Sequence, residues 1–102
     1  MAQFVLTYFG EPTFQTPEQG GEYKAKWMQW IGGLGDAVVT PARPLRRSTS
    51  VTAEGASDVA GSERISGFTV VTAESMETAV EMAQSCPHLD HGRIEVGEEM
   101  TM

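Results

Sequence analysis

The stretch Ser66-Gly-Phe-Thr-Val-Val-Thr-Ala-Glu-Ser-Met-Glu-Thr-Ala-Val-Glu-Met-Ala-Gln-Ser-Cys-Pro-His-Leu-Asp-His-Gly-Arg-Ile-Glu-Val96 decides the fold, because it reads without a gap as strand, capped helix, sharp stop and strand. From Ile65 to Ala73, Phe68, Val70 and Thr72 alternate with Thr69, Val71 and Ala73, the period of two that a pleated strand imposes. Ser75 then carries the hydroxyl that caps a helix start by accepting an otherwise orphaned backbone N–H. Met76, Ala79, Val80, Ala83 and Cys86 follow at three- and four-residue steps as one apolar stripe, with Glu77, Glu81 and Gln84 on the wet side. Pro87 stops the helix by removing a donor. Gly92 to Gly97 resumes as a strand, Ile94 and Val96 alternating with Arg93 and Glu95.

Upstream, Gln3 to Phe9 is rich in aromatic and branched residues and closes in Gly10-Glu11-Pro12, a strand running into a turn. Phe4, Leu6 and Tyr8 take one side and Val5, Thr7 and Phe9 the other, so both faces call for cover. Thr16 as N-cap, Pro17 at the first helical position and Glu18 at the positive end of the dipole predict a helix to about Leu34. The pair Gly20-Gly21 weakens its first turn and predicts a start nearer Glu22. Asp36 to Thr40 reads as a short strand broken by Pro41 and Pro44. Residues 41–63 are expected to form an irregular hairpin or loop, with Ser48–Thr52 resuming the strand and Glu54–Glu63 a Gly, Ser and acid rich loop.

The order strand, helix, strand, strand, helix, strand with short connections predicts one α+β domain over residues 1–102. It is the ferredoxin-like βαββαβ plan, a four-stranded antiparallel sheet with two helices on one face. The opposite sheet face needs burying, and a second copy of the chain is the simplest cover. At this length a monomer buries only about two thirds of its unfolded surface, so a small core gains from a partner. The tail from Glu98 is expected to fray or to add Met100 and Met102 to an interface.

A net charge of −7 excludes nucleic acid and anionic membrane as main partners, because both require a basic face. Cys86 is the single cysteine, so no internal disulfide forms. No apolar run approaches the roughly 20 residues of a membrane span, and the absence of a basic, apolar leader predicts a cytoplasmic protein. With no CxxC or His-x-x-x-His spacing, neither a metal site nor a cofactor is implied.

The Phe4-Val-Leu-Thr-Tyr8 strand, the Ala79-x-x-x-Ala-x-x-Cys-Pro-His88 element and the Gly92-Arg-Ile-Glu-Val96 strand together resemble the YCII-related proteins. That resemblance covers most of the chain outside residues 41–63. It implies a dimeric α/β barrel, a homodimer or a higher oligomer, with a cavity between sheet and helices that takes a small organic molecule. Lyase or dehalogenating isomerase-like activity is what it implies for catalysis. In such members a His on the first helix pairs with an Asp, and here no His lies between Glu18 and Leu34. An assembly module without small-molecule chemistry is therefore a second reading, and a metal-free oxygenase on the same barrel a third by fold analogy alone.

His88 and His91 flank Asp90, and a His beside a carboxylate is a tunable acid or base near neutral pH. His88 and Asp90 are thus the catalytic candidates, set against the structural explanation that His88 closes the end of its helix. Tyr8, Tyr23, Trp27 and Trp30 are candidate ligand walls, although aromatic residues at helical spacing also serve as ordinary core. Lys26 at the edge of that face is placed to reach an anion or to lie in solvent. Arg43 and Arg46, with Arg47, gather three of seven basic residues and are candidate anion clamps, against the plainer reading of a solvated loop. Cys86 on the apolar stripe reads as inert core.

Overall fold

The computed structural model describes residues 1–101. Strands β1 (Ala2–Phe9), β2 (Val38–Pro44), β5 (Ile65–Ala73) and β6 (Arg93–Glu98) form a four-stranded sheet in the order β2-β5-β1-β6, every neighbour antiparallel. Helices α1 (Pro17–Leu34) and α2 (Met76–Gln84) connect β1 to β2 and β5 to β6. The topology is that of two interleaved split βαβ units. Between them, β3 (Ser48–Thr52) and β4 (Gly55–Val59) make a separate two-stranded hairpin.

The core lies between the sheet and the helices. Phe4, Leu6 and Tyr8 of β1 and Thr69, Val71 and Ala73 of β5 are buried together with Ala79 and Ala83 of α2 and with Cys86, which the expected stripe placed on the helix and which lies just beyond its end. Trp30 joins the two helices, its indole N–H donating to the Met82 carbonyl at 3.0 Å and to Ser85 Oγ at 3.1 Å. Ser75 Oγ accepts from the Thr78 N–H as an N-cap, and Thr16 does the same for Gln19. On the opposite sheet face Val5, Thr7 and Phe9 pair across with Val70, Phe68 and Ile65, and this face stays half-buried in the single chain. Arg93 spreads over it, its guanidinium 4.2 Å from the Phe9 ring centroid.

Three expectations are corrected. Helix α1 begins at Pro17 rather than near Glu22, because the Thr16 cap and the Phe14 ring beneath Gly20 support a first turn that the glycines alone weaken. The second strand continues through Pro41 to Pro44. It is an edge strand, where a missing N–H costs no ladder bond, and its pairing with β5 slips twice between Val38 and Arg43. Gly55–Val59 is a strand instead of loop, paired with Ser48–Thr52 across an Ala53-Glu54 turn with Gly55 at φ +144°. Met102 lies outside the described residues, and the segment from Ile65 onward follows the expected order.

Candidate functional site

A cleft of about 700 Å³ opens between α1 and the β2–β5 half of the sheet. Its aromatic wall is continuous. Tyr8 meets Trp27 edge to face with ring centroids 5.2 Å apart, and Trp27 meets Tyr23 at 6.1 Å. Tyr23 in turn packs on Phe14 at 5.1 Å and on His91 at 4.8 Å. The opening follows from the register: Tyr8 stands opposite Gly67, whose missing side chain leaves space on the helix-facing side. A Cβ at Gly67 would approach the Arg43 carbonyl to 2.7 Å, so β2 closes onto β5 only because that residue is glycine.

His88 sits at the inner end, 2 % exposed, with its ring 5.3 Å from Tyr8. The 3-10 turn Pro87–Asp90 after α2 aims the imidazole at β1, where Nε2 lies 2.7 Å from the Phe9 carbonyl. Burial lowers the His88 pKa, with His91 nearby adding to the effect and the Phe9 bond opposing it. The neutral ring therefore carries its proton on Nε2 and donates it to Phe9, which leaves Nδ1 as an acceptor. The bond to Phe9 is the side-chain hydrogen bond that His88 makes among the described residues, and His88 lines the inner end of the cleft.

The two tyrosines are donors rather than bases. The Tyr8 hydroxyl donates to Thr69 Oγ1, and burial raises its pKa far beyond the usual phenol range. Burial raises that of Tyr23 as well. Cys86, beside the Tyr8 hydroxyl, is pushed up to about 11 by burial and is a protonated, inert thiol at neutral pH. Among the described residues no three His, Cys, Asp or Glu side chains gather as a metal would need, and no helix is long and apolar enough to cross a membrane.

Of the residues singled out from sequence, Tyr8, Tyr23, Trp27, Arg43 and His88 line this one cleft. Trp30 does not, because its indole is spent on the α2 backbone. Arg46 lies on a separate shallow hollow with Arg47, which pairs with Asp58 at 3.1 Å. Asp90 is exposed and makes no hydrogen bond or ion pair among the described residues, so His88 and Asp90 are not brought together. The cation that α1 contributes is Lys24 rather than Lys26. Lys24 is three residues before Trp27 and seven before Ile31, so helical periodicity had the information to find it. Phe14 had no such signal: it comes to the cleft from the loop before the Thr16 cap.

No protein-family model and no curated protein matches the chain. A solved structure does match: 5-chloro-2-hydroxyhydroquinone dehydrochlorinase from Burkholderia phenoliruptrix AC1100, in complex with 2,5-dihydroxybenzoquinone. The TM-score is 0.61 at 12% identity, covering 96% of this chain and 93% of that one. The likeness is one of fold, an α+β arrangement with a four-stranded antiparallel sheet and two helices.

Proposed function

We propose that this chain is a YCII-related protein that binds a small planar organic molecule in the α1–sheet cleft of a homodimeric α/β barrel. The observation that carries the reading is the cleft itself, with an edge-to-face aromatic wall and the His88 imidazole held by the Phe9 carbonyl at its inner end. The remote structural relative, an enzyme seen with a dihydroxybenzoquinone, supports a ring-shaped ligand of this size. The Ala79-x-x-x-Ala-x-x-Cys-Pro-His88 element supports the family.

In chemical terms the cleft is equipped for proton transfer of the lyase or isomerase kind. His88 Nδ1 accepts a proton from a C–H or O–H of the bound ring, while the Phe9 carbonyl holds the Nε2 proton and so orients the imidazole. The half-buried face carrying Val5, Phe68 and Val70 supports the homodimer, since a second copy covers it by a twofold, self-complementary contact. An assembly module without chemistry is the second reading, favoured by the exposed Asp90 that leaves His88 without a carboxylate partner.

Native mass spectrometry after incubation with a panel of simple phenols and hydroquinones separates the readings. Dimers carrying one phenol per subunit, lost on Trp27→Ala, are expected. A dimer that takes up none supports the assembly module, and a monomer overturns the barrel.

A further inference from the structure

The charge around the cleft is opposite to that of the protein. The chain has 14 acidic and 7 basic residues, yet no Asp or Glu among the described residues lines the cleft, whereas Lys24, Arg43 and Arg64 do. Arg64 is already committed, its Nε 3.0 Å from Glu11 and its Nη1 donating to the carbonyls of Leu45 and Arg46. It acts as a strut that ties the start of β5 to the chain leaving β2. Lys24 on the helix wall and Arg43 on the strand wall differ from it, because neither makes a hydrogen bond or ion pair among the described residues.

Resting on the cleft being a ligand site, we infer that its ligand is an aromatic acid whose ring lies against Tyr8, Tyr23 and Trp27 and whose carboxylate is held at the mouth by Lys24 and Arg43. A net charge of −7 repels an anion at long range, and salt screens that repulsion beyond about 8 Å. Within that distance the two unpaired cations dominate, and Arg43 offers the planar fork that matches a carboxylate bidentately. Among the described residues the lining supplies no acid to neutralise them. The tyrosine hydroxyls stay protonated and add no negative charge.

The test is isothermal titration of the intact protein with 4-hydroxybenzoate and with 4-hydroxybenzamide, which share ring, size and phenol and differ in charge. The acid is expected to bind about tenfold tighter, the scale of one charge-assisted hydrogen bond. Lys24→Gln with Arg43→Gln should remove that preference, and the fold should be retained by circular dichroism, both side chains being exposed and outside the core. Equal affinity of the wild-type protein for acid and amide overturns the anion assignment and leaves the ligand cleft standing. So does a preference that survives the double substitution. Failure of both probes to bind at millimolar concentration overturns the assignment together with the cleft reading on which it rests.

Discussion

Gly92→Ala is the substitution whose cost the structure sets most sharply. A methyl group at Gly92 would stand 1.9 Å from the Phe9 carbonyl oxygen and 3.0 Å from His88 Nε2, inside the hydrogen bond that joins them. That oxygen is backbone and has no rotamer to escape into, so β1 and β6 must part where Phe9 pairs with Arg93. Breaking a buried hydrogen bond costs about 1–3 kcal/mol, and overpacking adds about 1–3 kcal/mol. A loss of about 3 kcal/mol is therefore expected, a large share of the roughly 5–15 kcal/mol that holds a domain together. With a urea m-value of about 1.5 kcal/mol/M, the unfolding midpoint falls by about 2 M. Tryptophan fluorescence in urea, at one fixed protein concentration, measures it. Gly32→Ala is the matched control: its Cβ meets nothing within 4 Å, and in α1 alanine adds up to about 1 kcal/mol of stability. A Gly92→Ala midpoint indistinguishable from wild type would refute the close approach and, with it, the orientation assigned to His88.

Three further outcomes follow from the same geometry. Because burial lowers the folded-state pKa of His88 below its unfolded value, the unfolded chain binds the extra proton, so stability is complete above about pH 6.5 and declines as pH falls below it; thermal melts across that window should show the decline, and His88→Gln should flatten it. Cys86 should resist a disulfide-exchange reagent at pH 8 in the folded protein and react at once in urea, since its thiol is buried and pushed up to about 11; equal rates in the two states would refute the buried position. Val70→Lys, on the half-buried sheet face and outside the cleft, should convert the expected dimer to monomer by size-exclusion chromatography with light scattering, and a persistent dimer would move the interface elsewhere.

How much was legible depended on whether the determining force was local. The capped α2, the alternating β5 and the Pro87 stop follow from periodicity and hydrogen-bond supply within a few residues, so Met76–Gln84 and Ile65–Ala73 could be read directly. Strand β4 escaped, although a hairpin in this region is expected, because its residues are largely exposed, which removes the apolar alternation that marks a strand. Pro41 and Pro44 misled because their tolerance depends on β2 being at an edge, a property of strand order rather than of β2.

The sequence by itself determined the order of the four sheet strands and two helices, the stripe of α2, the two-sided character of β1 and most of the aromatic set from which the cleft wall is drawn. Only the tertiary structure decided which of those aromatics face a void and which fill the core. Trp27 and Trp30 sit on one helix, yet Trp27 lines the cleft while Trp30 bonds the Met82 carbonyl, because the position of α2 exists only after folding. The same is true of His88, neighbour to Asp90 in the chain and bonded instead to Phe9, 79 positions away. Spacing along the chain carries the local rules of helix and strand; a side chain's partner across the fold is set by register and packing that no short window contains.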